Sequence, residues 1–309
     1  MTAARAGDFE AHRARLFGLA YRLLGSAADA EDVVQDTYVR WSRADQAAIV
    51  APSAWLVKVA TNLCLNRLTS ARARHEVYVG PWLPEPVLTS DGALGPMDTS
   101  VQRDSVSLAL LVLLEQLTPA ERAVFVLREA FGYGHRDIAG ILDLSEANCR
   151  QLYRRAKQRL AMASSRFHPA RAARAQWQDL VERFIAAARD GDLPALEHLL
   201  ASDVTAWADG GGKVSAARRA VLGRARVARY LAGITRFGAQ LQILLAEVNG
   251  APAILATSAG NLVGVLVLEI SEGQITAVRA VANPDKLRFA SRQVARLSQL
   301  SPRPWSLAI

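Results

Sequence analysis

The sequence predicts a multidomain protein in which two all-α domains are followed by an α+β domain. A length of 309 residues exceeds that of one small domain. The first half repeats apolar residues at helical spacing and is interrupted once by a proline-rich stretch. The second half begins with helices and continues with runs of Val, Ile and Leu separated by glycine-containing turns, a pattern typical of an α+β domain. The predicted boundaries are 1–75 for the first helical domain, 76–99 for the linker, 100–168 for the second helical domain, 174–292 for the α+β domain and 293–309 for a flexible tail.

The composition indicates a soluble protein with a basic excess. Hydrophobic residues make up 51% of the chain, and Lys and Arg exceed Asp and Glu enough to give a net charge of +8. Arginine dominates this excess, and its planar guanidinium binds phosphate bidentately. Cys64 and Cys149 are not at metal-binding spacing, the N-terminus has no signal-peptide core, and the longest apolar run is too short for a bilayer. We therefore expect a cytoplasmic protein without metal or cofactor, and nucleic acid is a candidate partner.

The first helical domain contains a helix with an acidic face. Ser26 is placed to cap this helix, and apolar residues recur after it at helical spacing. The polar face concentrates acidic and amide side chains in an otherwise basic protein: Asp29, Glu31, Asp32, Gln35 and Asp36. DNA would repel these carboxylates, whereas a basic protein partner would attract them. The helix dipole is a second explanation for the acids from Asp29 to Asp32, but it explains Asp36 poorly.

The next predicted helix carries a polar stripe. Lys58, Asn62 and Asn66 follow one another at intervals of four and lie beside an apolar stripe. Asparagine amides can hydrogen-bond exposed base edges, and a neighbouring cation such as Lys58 or Arg67 can hold the nucleic-acid backbone. This helix is therefore a candidate reader of separated bases.

The linker has four prolines between Tyr78 and Asp98, which excludes a helix there. Within it stands the motif WLPEP: Trp82, Leu83, Pro84, Glu85 and Pro86. A proline-fixed backbone loses little conformational entropy when it is ordered, and a tryptophan supplies a large apolar anchor. The motif is thus suited to docking, although a proline-rich spacer with an incidental tryptophan is an alternative interpretation.

The strongest local signal lies in the second helical domain. A short helix at Arg136–Leu142, a tight turn at Asp143–Leu144 and a longer helix capped by Ser145 predict a helix-turn-helix. The longer helix has a narrow apolar stripe, and its opposite side carries side chains that can bind base edges and phosphates. Together with the cap, these are Ser145, Asn148, Arg150, Gln151, Arg154, Arg155 and Lys157. A solvated basic helix is the alternative interpretation of the same pattern.

The α+β domain contains ADGGGKV, in which three glycines directly precede a lysine. A phosphate-binding P-loop needs wider glycine spacing and a Ser or Thr after the lysine, but Val214 follows Lys213. The stretch is therefore not a P-loop. Contiguous glycines allow a sharp reversal at the end of a strand. We expect this turn to present Asp209 and Lys213 outward as a contact loop.

Motifs in all three domains carry a resemblance to a known family. The stretch LEQLTPAERAVFVLREAFGYGHRDIAGILDLSEANCRQLYRRAKQRL resembles region four of bacterial sigma factors, particularly those of the extracytoplasmic-function family. AYRLLGSAADAEDVVQDTYVRW and SAWLVKVATNLCLNRL resemble region two of the same family. WLPEP, DGGGK and NPDKL resemble the signature motifs of a group with a SnoaL-like extension, which belongs to the NTF2-like superfamily of cone-shaped α+β domains. The resemblance covers almost the whole chain.

This resemblance implies a promoter-recognition subunit of RNA polymerase without catalytic residues of its own. Region two would bind the clamp helices of the polymerase beta-prime subunit through the acidic face. It would read the −10 element of promoter DNA through Lys58, Asn62, Asn66 and Arg67. Region four would read the −35 element through the helix-turn-helix and lie at the beta flap. Many relatives carry a basic residue where this chain has Leu152, which leaves the −35 sequence open.

Two other classes of function remain alternatives. Some SnoaL-like folds are cyclases or isomerases, and the candidate acid–base groups here are Asp192, His198, Asp203 and Asp209. No His–Asp pair stands at a spacing that forces contact, and the later strands contribute almost no ionisable side chains, so a regulatory role is favoured over catalysis. A dimeric helix-turn-helix repressor would instead bind specific duplex DNA without polymerase.

We expect the extension to pack against the linker and both DNA-binding regions and so to control the protein from within. The residues assigned to these contacts are the WLPEP motif and Asp209, Gly210, Gly211, Gly212, Lys213, Asn283, Pro284, Asp285, Lys286 and Leu287. Such control would make a separate anti-sigma factor unnecessary, and the free protein would be a monomer.

Overall fold

The computed structural model describes residues 2–45, 48–75, 78–89, 92–94, 104–163, 174–236 and 241–300. The chain forms two compact units. Unit 1 comprises Met1–Val77 and Thr89–Arg166, and unit 2 comprises Tyr78–Leu88 and Phe167–Ile309. The predicted linker is therefore divided, because its WLPEP segment belongs to unit 2 while the chain on both sides belongs to unit 1.

Unit 1 begins with three helices: α1 (Thr2–Leu24), α2 (Ala27–Arg43) and α3 (Pro52–His75). α2 begins as predicted, since the Ser26 hydroxyl accepts a hydrogen bond from the Asp29 N–H at 3.1 Å. Its apolar face is buried at Val33 and Val34. Tyr38, one turn after Val34, remains 40% exposed.

The described residues of the second half of unit 1 include the helices α4 (Leu108–Leu114), α5 (Pro119–Glu129), α6 (His135–Leu142) and α7 (Glu146–Ala163). A capping box formed by Thr118 and Glu121 starts α5. Asp143 makes the turn between α6 and α7 with a φ of 55°, a conformation that aspartate tolerates better than most residues. The predicted helix-turn-helix is confirmed.

Two buried arginines connect the halves of unit 1. Arg22 of α1 donates a hydrogen bond to the hydroxyl of Ser105 at 2.7 Å, and burial lowers its pKa to about 10. Arg122 of α5 donates to the carbonyl of Leu23 at 2.8 Å and pairs with Glu115 at 2.8 Å. Arg22 stays charged at neutral pH, and the junction is held by hydrogen bonds from these two guanidinium groups to specific partners.

In its described residues, unit 2 contains four helices and a six-stranded sheet. The helices are α8 (Arg174–Asp190), α9 (Leu193–Leu199), α10 (Arg224–Arg236) and α11 (Pro284–Leu300), and the strands are β1 (Leu200–Asp209), β2 (Val221–Leu222), β3 (Gln242–Val248), β4 (Ala251–Ser258), β5 (Asn261–Ser271) and β6 (Gln274–Val281). The strand order is β2-β1-β6-β5-β4-β3, with β1 and β6 parallel and all other neighbours antiparallel. The sequence predicts the four long strands after α10 and the one before it. It does not reveal β2, because two residues are too short to show a period.

Helices α8, α9 and α10 pack on one face of this sheet. Their apolar sides, including Trp177, meet sheet residues such as Leu268 in one core. Because side chains alternate along a strand, Arg279 of β6 points to the opposite face. There it pairs with Glu269 and lies 4.7 Å from the ring of Trp207. No helix in the described ranges is long and apolar enough to cross a membrane.

The prediction that a flexible tail begins at residue 293 is wrong. Helix α11 continues to Leu300, and Gln293 is 2% exposed. The spacing from Leu287 and Ala290, which are also buried, keeps Gln293 on the packed face of the helix. The remaining residues of the predicted tail, 301–309, lie outside the described residues.

Candidate functional site

The outer face of α7 presents the residues predicted to read DNA. All six that follow the cap are exposed: Asn148, Arg150, Gln151, Arg154, Arg155 and Lys157. Cys149, Ala156 and Leu160 on the opposite side are buried. Ser145 caps the helix, since its hydroxyl accepts a hydrogen bond from the Asn148 N–H at 3.2 Å. The predicted orientation of this helix is confirmed.

The cations of this face have few partners in the protein. Arg150 pairs with Glu146 one turn earlier at 2.5 Å, and Lys157 lies 5.6 Å from the ring of Tyr153. Within the described part of the chain, Arg154 and Arg155 form no ion pair. Their guanidinium groups are therefore available for bidentate contacts with guanine or phosphate.

Tyr153 attaches α7 to α5. Its hydroxyl donates a hydrogen bond to the carboxylate of Glu129 at the end of α5. Burial and this hydrogen bond raise the pKa of Tyr153 to about 12, so the hydroxyl is protonated at neutral pH and remains a donor. The exposed face of α7 is thus carried on a firmly attached helix.

The polar stripe of α3 meets the helix-turn-helix. Lys58 donates hydrogen bonds to the carbonyl of Gly140 at 3.0 Å and to the carboxylate of Asp143 at 2.6 Å. Asn62 is half-buried and Asn66 is exposed. The structure therefore leaves Asn66 accessible, whereas Lys58 is engaged by the turn that precedes α7.

The acidic face of α2 is neutralised in part by an arginine of the neighbouring helix α3. Arg67 of α3 pairs with Asp29 at 3.4 Å, Asp32 at 3.2 Å and Asp36 at 3.0 Å. Gln35 is exposed and Glu31 is half-buried on the same helix. A DNA contact by Arg67 would require it to leave three carboxylates. Its position fits the support of the acidic face better than it fits base reading.

In unit 2, a buried aspartate holds the linker segment Tyr78–Leu88, which we call the docked linker. Asp209 is 0% exposed. One carboxylate oxygen accepts a hydrogen bond from the Tyr78 hydroxyl at 2.5 Å. The other accepts from the Leu83 N–H at 2.8 Å and from the Lys286 ammonium at 2.7 Å. The prediction that Asp209 points outward is therefore wrong, because this carboxylate is the internal acceptor for the linker.

Lys286 supplies the matching positive charge and is 7% exposed. Its ammonium donates to the carbonyl of Leu83 at 2.5 Å. It also lies 4.6 Å from the ring of Tyr78 and 4.3 Å from the ring of Trp82, where the negative faces of the rings attract a cation. A buried ion pair is tolerated only when its remaining donors and acceptors are satisfied, and the docked linker provides them. We call Tyr78, Leu83, Asp209 and Lys286 the linker-docking cluster.

The edge of the linker-docking cluster is more exposed to solvent than its centre. Lys213 forms an exposed ion pair with Asp285, and this pairing lowers the pKa of the Asp285 carboxyl. The Asn283 amide donates to the Tyr78 hydroxyl at 2.8 Å. Burial, together with the hydrogen bond to Asp209, raises the pKa of Tyr78, so its hydroxyl remains a donor. WLPEP, DGGGK and NPDKL, the three motifs predicted to make regulatory contacts, thus meet at one place in unit 2.

The glycines of DGGGK are required by this close approach. Gly211 and Gly212 have φ values of 57° and 71°, as the predicted sharp reversal demands. A Cβ atom on Gly211 would lie 2.2 Å from the amide nitrogen of Asn283. The Gly211 N–H donates to Asp209 at 3.1 Å. A larger residue here would push NPDKL away from the linker.

A second set of hydrogen bonds, which holds the C-terminal end of the docked linker, was not predicted from the sequence. Asn249 exchanges hydrogen bonds with the backbone of Val87 at 2.9 and 3.0 Å. Gln293 does the same with the backbone of Leu88 at 2.9 and 3.2 Å. The Asn-Gly pair at 249–250 is an ordinary hairpin signal, and nothing in the sequence distinguishes its additional role.

The candidate acid–base residues do not converge. Asp192 caps α9 by accepting a hydrogen bond from the Ala195 N–H at 3.0 Å. His198 and Asp203 are exposed, and Asp209 belongs to the linker-docking cluster. Among the described residues, no group of His, Cys, Asp and Glu is arranged to hold a metal ion.

Comparison with known proteins adds the family. The model of Sigma-70 region 2 matches residues 9–74, and that of Sigma-70 region 4 matches residues 107–160. The ECF RNA polymerase sigma factor SigJ of Mycobacterium tuberculosis H37Rv is 37% identical over 296 residues, which cover 90% of this chain and 92% of SigJ. The chain belongs to the extracytoplasmic-function sigma factors. The probable ECF RNA polymerase sigma factor SigI of the same strain is 35% identical over 285 residues, with 90% of this chain and 93% of SigI covered.

The solved structures agree with this assignment. The crystal structure of Mycobacterium tuberculosis SigJ superposes with a TM-score of 0.71 at 33% identity, covering 91% of this chain and 98% of SigJ. The predicted architecture of two helical sigma domains followed by an α+β domain is confirmed. This sigma factor accordingly binds core RNA polymerase and recognises promoter DNA.

Proposed function

We propose that this sigma factor reads the −35 element through α7 and the −10 element through Asn62, Asn66 and Lys58 of α3. The acidic face of α2 binds the clamp helices of the polymerase beta-prime subunit, and region four lies at the beta flap. The observation that carries this proposal is the outer face of α7, where Gln151 and Arg154 are exposed on a capped helix. Glutamine suits adenine and arginine suits guanine in the major groove.

Unit 1 has a conformation that cannot engage both promoter elements at once. By their positions, the −10 and −35 elements are about 25 base pairs apart, or roughly 85 Å of B-DNA at 3.4 Å per base pair. Lys58 of the −10 helix nevertheless lies 2.6 Å from Asp143, in the turn before the −35 helix. We infer that this is a resting state and that α3 must separate from α6 when the promoter is bound.

The SnoaL-like unit controls this transition through the linker that joins region two to region four. Because Asp209 and Lys286 hold part of that linker, docking limits the length of chain that is free to span the two promoter elements. Release of the linker would allow the regions to separate. Control of this kind needs no separate anti-sigma factor, and the free protein acts as a cytoplasmic monomer. It has no enzymatic activity and needs no cofactor.

The first test is transcription by purified core polymerase with the full-length protein, read by sequencing of transcript 5′ ends. We expect starts downstream of a shared pair of elements. Gln151→Ala and Arg154→Ala should change which −35 sequences are used, whereas Lys157→Ala should weaken all promoters alike. Specific binding to duplex DNA without core enzyme would contradict the proposal in favour of a repressor.

The second test addresses control by unit 2. Truncation after Asn283 removes Lys286, and truncation after Ser165 removes the whole SnoaL-like part. We expect both to change the yield of promoter-directed transcripts. Lys286→Met in the full-length chain should reproduce the effect of the shorter truncation. Unchanged transcription in all three would contradict control and favour an independent domain fused to the sigma factor.

A further inference from the structure

Unit 2 carries an exposed cluster of arginines that the functions above leave unused. Between Gly210 and Ala246 the sequence has seven Lys or Arg residues and no Asp or Glu. Four of these arginines are exposed: Arg218, Arg219, Arg226 and Arg229. Within the part of the chain that the structure describes, none of the four forms an ion pair. We call these four residues the arginine face.

The arginine face combines a helix and the loop before it. Arg226 and Arg229 lie one turn apart on the outer side of α10, whose inner side is buried at Val227 and Leu231. Arg218 and Arg219 precede β2, which leads directly into α10. The hydroxyl of Tyr230 forms a hydrogen bond with the backbone of Ala217. This bond holds the loop beside the helix, so the four guanidinium groups lie on neighbouring segments.

The cations at the start of α10 are unfavourable for the isolated protein. Arg224 and Arg226 lie in the first turn of the helix, which contains no acidic residue. The N-terminus of a helix has a partial positive charge that repels cations and favours anions. Such an arrangement is stabilised when an external anion approaches.

The side chains indicate which kind of anion fits. All four cations of the arginine face are arginines, whose forked donors bind phosphate oxygens bidentately. Between Gly210 and Thr235 the only aromatic residue is Tyr230, and its hydroxyl is already bonded to Ala217. Binding of single strands relies on aromatic stacking, so the composition favours the phosphates of a duplex.

We propose that the arginine face binds the phosphate backbone of the promoter duplex outside the −10 and −35 elements. This contact adds sequence-independent affinity to the polymerase holoenzyme and makes the SnoaL-like unit a third DNA-binding part of the sigma factor. The proposal rests on the proposed function, because promoter DNA must already be bound by this holoenzyme.

The test compares two double variants in reconstituted holoenzyme on the same promoter fragment. Arg226→Gln with Arg229→Gln removes two cations of the arginine face. Arg183→Gln with Arg189→Gln removes two exposed arginines of α8 that already pair with Asp179 and Asp190. The measurement is the slope of log K for DNA binding against log salt concentration. We expect the first variant to reduce the magnitude of the slope by about 1.8, since each lost phosphate contact accounts for about 0.9.

The control variant should retain the wild-type slope, and both variants should start transcripts at the wild-type position. Urea unfolding midpoints of the two proteins verify that each has folded. Equal slopes for wild type and both variants would overturn the proposal. So would a slope change of the same size in both variants, since net charge alone would then explain it.

Two further results separate this proposal from others. If Arg226→Gln with Arg229→Gln weakens binding to core polymerase in the absence of DNA and leaves the salt slope unchanged, the arginine face binds protein and the proposal is wrong. If the wild-type holoenzyme starts no transcript at a −10 and −35 pair, the proposed function itself fails. That failure is recognised before any variant is compared.

Discussion

The outer face of α7 and the linker-docking cluster use the same kinds of charged and polar side chains in opposite ways. On α7, Arg154 and Arg155 are exposed and form no ion pair within the described residues. In the linker-docking cluster, Asp209 and Lys286 are buried and bonded to each other. The first arrangement keeps donors available for an external partner. The second joins two distant parts of one chain.

This difference distinguishes binding surfaces from buried contacts that hold two segments of the chain together. A buried charge must be satisfied within the protein, so Asp209 and Lys286 fix the docked linker but cannot also bind DNA. An exposed arginine has little effect on folding and can be used for recognition. Lys58 is intermediate, because it is partly exposed and yet pairs with Asp143. Such a contact is weak enough to exchange for a DNA contact.

The largest expected effect is on the stability of unit 2. Asp209→Ala leaves Lys286 buried without its counter-charge, and breaking a buried pair costs about 3–5 kcal/mol. Urea unfolding of the full-length protein should show this loss in the transition of unit 2. Asp203→Ala, an exposed aspartate on the same strand, is the matched control and should change the free energy of unfolding little. An equal loss of unfolding free energy in the two variants would contradict the distinction between the buried contact and the exposed surface.

The next effect is on promoter recognition. Arg154→Ala removes a proposed base contact and should cost about 1–3 kcal/mol of −35 binding in holoenzyme, with relaxed preference at one base position. Arg155→Ala should instead weaken binding to all promoters equally. A library of −35 sequences bound to each holoenzyme measures both. An identical sequence preference in the two variants would show that α7 does not read bases through Arg154.

A smaller effect is expected at the contact between region two and region four. Asp143→Asn removes the partner charge of Lys58 while keeping a side chain that tolerates the positive φ of this turn. An exposed pair contributes about 0–1 kcal/mol, so promoter affinity of the holoenzyme should rise by at most about fivefold. A decrease in affinity would mean that Asp143 supports the DNA-bound state instead.

The smallest effect is expected at the edge of the linker-docking cluster. Lys213→Gln removes the exposed ion pair with Asp285, which is worth about 0–1 kcal/mol. Unfolding of unit 2 should be almost unchanged, in contrast to Asp209→Ala. A loss as large as that of Asp209→Ala would place the main energy of linker docking at the exposed edge and not in its buried centre.

The difference between the exposed face of α7 and the buried linker-docking cluster also explains which features can be predicted from the sequence. The exposed face of α7 follows from helical periodicity alone, and the cap at Ser145 and the turn at Asp143 are local signals. Contacts between residues that are far apart in the sequence produce no local sequence pattern. The pairing of Asp209 with Lys286 spans 77 residues, and the contact of Gln293 with Leu88 spans 205. Only the resemblance to a sigma-factor group marked the docking motifs, and even then the burial of Asp209 was missed.

Local sequence patterns also failed to predict two structural features. The flexible tail is predicted to begin at residue 293, but the helical pattern that ends at Leu300 holds the packed face of α11 together. Arg67 follows the polar stripe of α3 in sequence, yet it pairs with Asp36 and its neighbours on α2. Tertiary charge pairing decides the role of such a residue, and no single-helix pattern contains that information.

The central claim is that unit 1 must open for the promoter to be bound, and a reversible crosslink tests it most directly. Lys58→Cys with Asp143→Cys, joined by a short reducible bis-thiosulfonate, holds α3 against the turn before α7. Variants that carry only one of the two introduced cysteines, treated with the same reagent, are the controls. We expect the crosslinked protein to bind core polymerase but to start no promoter-directed transcripts, and reduction of the crosslink to restore them. Transcription at the same rate before and after reduction would contradict the account.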